Sequence, residues 1–197
     1  RSVARSDNAL ARLLKLLNGE LVVENLTINQ DLRWRIIGQL SRFGHVDAKA
    51  LIAKELISDS SDTGVKSAIF AEVIAPDASV KKQWLATIQS KDSGLAFSKV
   101  RTAMSALYTS EQVKLDESTA DERIATLADI DKANDHAFMR SYAGLLIPAT
   151  CSDKSVKRLT KAVKELTNLA AGTRRSLLVT LQADERCLKV KNALTVK

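Results

Sequence analysis

Few residues in this chain are suited to chemistry: two histidines, His45 and His136, and two cysteines, Cys151 and Cys187. A hydrolytic zinc site on a helix takes two His one turn apart with a carboxylate between them, so that both imidazoles reach one ion. Neither histidine has a second within that spacing. His45, directly after Gly44, reads as a helix-end residue that favours the negative C-terminus when protonated. His136 reads as a first-turn residue of its own helix. The cysteines have no further Cys or His beside them, which argues against structural zinc and against a disulfide framework; reduced thiols in a cytoplasmic protein are the expectation. No nucleophile elbow is present, and neither Gly-x-x-x-x-Gly-Lys nor Gly-x-Gly-x-x-Gly occurs. The sequence thus offers no catalytic residue and no metal ligand.

The elements that would carry any site are helices. With seven glycines and two prolines in 197 residues, there is little room for hairpin turns or strands. The best-signalled element runs from about Gln30 to Phe43, with Asn29 as N-cap, Asp31 in the first turn and Gly44 as terminator. At about 100° per residue, Leu32, Ile36, Ile37, Leu40 and Phe43 form one apolar arc that Trp34 extends, with Arg35, Gln39 and Arg42 opposite. Arg33 falls inside the apolar arc, where a guanidinium needs a partner.

Around this helix the same signals place others: Asp7 to Leu17, capped by Ser6 and stopped by Gly19; Asp47 to Ser58, capped by Asp47 and burying Leu51, Ile52, Leu56 and Ile57; and a helix capped by Thr63 that runs to Ala75 and is stopped by Pro76. Leu21 to Ile28 reads as an extended connection pinned by its apolar residues. Helices follow from Ser79, burying Val80, Trp84, Leu85 and Ile88, and from Leu95 to Tyr108. Ser110 to Ile130 reads as two short helices broken near Asp116 to Thr119. Asn134 or Asp135 opens the next helix, to Ile147, and Ser152 caps one with Val156, Leu159, Val163 and Leu166 as its seam. Arg174 to Gln182 and a last helix capped by Asp184 close the chain. About ten helices of 8 to 15 residues, joined by short connections, make an all-α fold of stacked helix pairs. No long linker divides them, so residues 1–197 read as a single helical domain.

Thirty Lys and Arg against 23 Asp and Glu leave a charge of +7, enough to attract nucleic acid or acidic peptides. Lys154, Lys157, Lys161 and Lys164 share one helix face, which reads as a solvated surface or a phosphate-binding one. Aromatic residues, at 4%, are sparse for base stacking, so nucleic acid is disfavoured. No apolar run reaches the roughly 20 residues needed to cross a bilayer, and no membrane partner is expected. The opening RSVARSDNAL lacks an initiator Met, so a piece of a longer chain is expected.

The run NLTINQDLRWRIIGQLSRFG resembles the C-terminal helical domain of zinc aminopeptidases of the aminopeptidase N family, in which an Asp-Leu-Arg-Trp stretch opens a helix after a short extended segment. KKQWLATIQSKDSG, ALYTSEQ, YAGLLIPAT and TRRSLLVTLQADERCLKVKNAL are similar to later segments of that domain, in the same order. The resemblance implies an irregular HEAT- or armadillo-like α-solenoid that roofs the active-site chamber, admits peptides and excludes folded proteins. It also implies that zinc and the His-Glu-x-x-His motif belong to a catalytic domain of the same polypeptide that is missing here, and that this part is non-catalytic. Its partners would be that domain and peptide substrates, which Arg33, Arg174 and Arg175 could contact. Arg33 has a second reading, an ion pair within this domain. Outside the resemblance, a HEAT-like nucleic-acid-binding or protein-interaction scaffold is the alternative.

Overall fold

The computed structural model describes residues 4–195. It is all-α: Asp7–Asn18 (α1), Gln30–Arg42 (α2), Ala48–Ser58 (α3), Asp62–Val73 (α4), Ala78–Gln89 (α5), Phe97–Ala106 (α6), Val113–Ser118 (α7), Ala120–Ala125 (α8), Leu127–Ala133 (α9), His136–Leu146 (α10), Asp153–Glu165 (α11) and Ala171–Thr195 (α12), with no strand among the described residues. Capping chemistry sets many of the starts. The side chains of Ser6, Asn29, Asp135 and Ser152 each accept the backbone N–H three residues on, which satisfies one of the donors a helix start leaves open. At the end of α2, Gly44 adopts φ +70, a left-handed conformation that costs glycine little.

The chain divides into two compact units, residues 1–85 with 105–107, and residues 86–104 with 108–197. Two of the three boundaries fall inside α5 and α6, where a continuing helical pattern gives composition nothing to mark, and the third just after α6. In the first unit α2 packs on α1, α3 and α4, and α3 on α4. Its core joins Leu10 and Leu17 to Trp34, Ile36, Ile37 and Leu40 and to Ala68 and Ala71, with Leu51, Ile52 and Leu56 half-buried beside them. In the second unit α12 lies against α10 and α11, while α7, α8 and α9 follow one another in short steps. Leu127, Met139, Tyr142, Leu146, Leu159 and Leu177 are buried there, and Phe97, Phe138 and Tyr142 form a run of ring contacts with centroids 6.0 and 5.9 Å apart.

Several boundaries depart from the sequence reading for identifiable reasons. Helix α4 starts a residue before Thr63, because Ser61, not Thr63, supplies the capping oxygen, to the Gly64 N–H. The 110–130 region holds parts of three helices rather than two, with breaks at Thr119 and Thr126. Ile57 is 86% exposed, whereas Glu55 in the same helix is buried, because a salt partner on α2 draws Glu55 inward. Leu21 to Ile28 is irregular, with Leu21 and Ile28 half-buried and Val22, Val23 and Leu26 exposed. Asp184 is not a cap: α12 runs through it for 25 residues, and its carboxylate is turned to a backbone N–H outside the helix.

Candidate functional site

Arg33 projects from α2 toward α3 and the end of α1. Its Nε and Nη2 donate to the two carboxylate oxygens of Glu55 at 2.7 Å each, and Nη1 donates to the Leu17 carbonyl at 3.2 Å. Gln30 adds a 2.7 Å bond to Glu55. This fork-to-carboxylate geometry uses both Glu55 oxygens. The hydrogen bond from Arg33 holds the Glu55 carboxyl below its usual range against the opposing effect of burial, and the same bond raises the Arg33 guanidinium. The charge inside the apolar arc therefore meets a carboxylate of its own domain. A matching signal lay in the sequence: Glu55 sits among Leu51, Ile52 and Leu56 at helical spacing.

Arg174 and Arg175 lie in the first turns of α12. Arg174 is half-buried and its Nη1 donates to the Leu166 carbonyl at the end of α11, at 3.3 Å, while Arg175 is exposed. Beside the same helix start is a cleft of about 280 Å³, lined by residues that include Asp131, Asp135, His136, Arg140, Gly172 and Ser176, but by neither of these arginines. Asp131 already occupies the positive end of α12, accepting from the Ala170 N–H at 2.6 Å and the Thr173 hydroxyl at 2.5 Å, and Asp135 caps α10. Two carboxylates thus offset the helix ends and the exposed Arg140, which leaves no excess of positive charge for an anion. Arg174 and Arg175 adjoin in α12 of the second unit, and Arg33 belongs to the first.

The lysine face of α11 is exposed, as a solvated face would be. Lys154 lies 3.0 Å from Glu117 and Lys161 3.9 Å from Glu165. Beneath the face, Arg158 donates to Glu117 at 2.5 Å and Asp121 at 2.8 Å. Burial pushes the Glu117 carboxyl up, but Lys154, Thr150 and Arg158 outweigh it and hold the group below its usual range.

Two buried cations escaped the sequence reading. Lys81 on α5 is 1% exposed and donates to the Val73 carbonyl at 2.6 Å. Burial lowers its pKa to about 7. Its place beside Trp84, Leu85 and Ile88 at helical spacing was the available signal. Arg123 on α8 is 2% exposed, donates to the Leu146 carbonyl at 2.8 Å and to Asp116, and stacks its guanidinium 4.3 Å from the centre of the Tyr108 ring.

The expectation of reduced thiols is corrected: Cys151 and Cys187 form a disulfide. Thirty-six residues separate them, but α11 leads away from Cys151 for about 20 Å and α12 returns along it for about 24 Å before Cys187, at 1.5 Å per residue. Reading two helices where one long one runs removed that return. Among the described residues no three His, Cys, Asp or Glu side chains gather to hold a metal. No helix of the described residues is long and apolar enough to cross a membrane. No protein-family model and no curated protein matches this chain.

Proposed function

We propose that this chain is the non-catalytic C-terminal domain of a zinc aminopeptidase of the aminopeptidase N type, a helical roof that controls which peptides reach a zinc site held by another domain of the same polypeptide. The observation that carries the reading is the run from Asn25 to Gly44. An irregular lead-in enters a helix capped by Asn29, whose first turns place Arg33 on Glu55 and the Trp34 indole N–H on Asp59 at 2.9 Å. The Asp-Leu-Arg-Trp corner thereby ties α2 to α3 and to the residue that follows α3. Arg33 is committed to that tie, and Arg174 to the end of α11. Arg175, exposed, remains for a peptide carboxylate or a neighbouring domain.

The expected compartment changes with the cysteines. A disulfide persists in an oxidising space and is rare where glutathione and thioredoxin keep thiols reduced, so an oxidising compartment replaces the cytoplasm in this reading. The test is the coding sequence upstream: an in-frame His-Glu-x-x-His region is expected, and its absence overturns the assignment. Incubation of the purified chain with zinc and aminoacyl-anilides should give no turnover; metal-dependent hydrolysis by this chain alone would equally overturn it. A nucleic-acid scaffold is disfavoured by the carboxylates beside Lys154 and Lys161, which diminish the field available to phosphates. Duplex binding at low salt that weakens steeply as salt rises would restore that alternative.

A further inference from the structure

We infer that the Cys151–Cys187 disulfide is a redox-controlled clasp that fixes the C-terminal half of α12, and that a dithiol reductant acting on it releases that half while the rest of the protein stays folded. Three bonds from one face of α12 converge on a single residue. Asp184 accepts the Cys151 N–H at 2.7 Å, Cys187 bonds covalently to the Cys151 side chain, and Lys191 donates to the Cys151 carbonyl at 3.4 Å. Positions 184, 187 and 191 recur at the three- and four-residue spacing of one helix face.

Beyond this clasp the helix buries little apolar surface. Residues 189–194 are all exposed, Val190 at 54% and Leu194 at 74%, whereas the first half of α12 buries Thr173 and Leu177. The Cys151 backbone sits at φ 53, a left-handed conformation that non-glycine residues adopt at a cost and keep only when their surroundings impose it. The Asp184 carboxylate is 3% exposed and its second oxygen has no hydrogen-bond partner, an arrangement that loses its one donor if Cys151 relaxes. Cys187 is exposed, so a thiolate in solution can reach the bond.

The reaction is ordinary thiol–disulfide exchange. A thiolate of the reductant attacks one sulfur to form a mixed disulfide and expels the other as a thiolate. The reductant's second thiol then resolves the mixed disulfide, leaving two cysteine thiols on the chain and an oxidised cyclic disulfide, with two electrons and two protons transferred. What is released is a basic segment carrying Arg186, Lys189 and Lys191 with Val190 and Leu194.

The test is hydrogen exchange followed by mass spectrometry on the protein with and without dithiothreitol under native conditions, with thiol alkylation reporting the redox state. On reduction, amides of residues 184–194 are expected to exchange at least tenfold faster while those of α2 and α10 keep their protection. Cys187→Ser should show the fast pattern without reductant and no response to it, and reoxidation of the unmodified protein should restore protection. A disulfide that resists dithiothreitol until denaturant is added, reduction that leaves residues 184–194 as protected as before, or reduction that unfolds the whole second unit would each overturn the inference.

Discussion

Replacing Lys81 by Met tests how this protein tolerates a cation in its core. Lys81 is 1% exposed, and burial brings its pKa from 10.5 to about 7. At about 1.36 kcal/mol per unit, that gap makes the charged form about 5 kcal/mol less favourable inside the protein than in the unfolded chain. The folded value lies below the unfolded one, so the sign is fixed. Above pH 10.5 the lysine is neutral in both states and no penalty acts. As pH falls from 10.5 toward 7 the unfolded chain takes up the proton and the folded protein does not, and stability is lost throughout that window. Below about 7 both states are charged and the loss is constant.

Between pH 9 and pH 7 the unmodified protein should therefore lose about 2 kcal/mol that Lys81→Met does not lose. At any single pH the variant also forfeits the bond to the Val73 carbonyl, about 1 to 3 kcal/mol for an acceptor left without its donor. The difference between two pH values is free of that term. Urea unfolding followed by tryptophan fluorescence is the assay, since the two tryptophans, Trp34 and Trp84, both belong to the first unit with Lys81. Profiles of the two proteins that run parallel within about 0.5 kcal/mol from pH 7 to 9 would refute the reasoning; Lys81 would then keep its proton in the fold.

Arg33→Ala should destabilise the first unit by about 2 kcal/mol, less than a fully buried pair because the Arg33 side chain is 32% exposed, and the loss should shrink in acid as Glu55 protonates in the parent protein; calorimetry at pH 7 and pH 3 checks both. Arg123→Met should cost the second unit about 3 kcal/mol or more, since it leaves Asp116 and the Leu146 carbonyl without their donor, and thermal unfolding followed by circular dichroism reads it. Gly64→Ala should destabilise by about 1 to 3 kcal/mol, although alanine is the better helix former, because a Cβ there would stand 2.1 Å from the Asp59 carbonyl oxygen; equilibrium urea unfolding that shows a gain would contradict the close approach of residues 59–61 to α4.

The helices legible in the sequence were those whose caps and apolar faces agree. Ser6, Asn29 and Ser152 precede clear apolar stripes, and each makes its capping bond. Where local chemistry competes with a tertiary partner, the sequence misleads. Asp184 has the residue type of a cap but serves Cys151 from mid-helix, and Glu55 has the residue type of a surface but serves Arg33. The sequence marked Arg33 as needing a partner because one charge on an apolar arc is a local contradiction; naming the partner required the packing of α2 on α3. The disulfide was illegible for the same reason, since only an antiparallel return of α12 along α11 brings residues 36 apart together.

The positive charge has a structural use that composition could not reveal. Arg33 donates to Leu17 near the end of α1, Lys81 to Val73 at the end of α4, Arg123 to Leu146 at the end of α10, and Arg174 to Leu166 just past α11. Each basic side chain comes from one helix and donates to a carbonyl at the C-terminus of another, where the last carbonyls of a helix have no partner within it. In a protein of short helices such ends are frequent, and a chain with two prolines and seven glycines has few turn residues with which to close them. Basic side chains supplied by neighbouring helices, Lys81 and Arg123 buried and Arg33 and Arg174 partly so, meet that need and fix the pairing of helices at the same time. Part of the +7 balance is therefore internal to the fold, and a basic composition in a chain of this architecture is weak evidence for a phosphate-bearing partner.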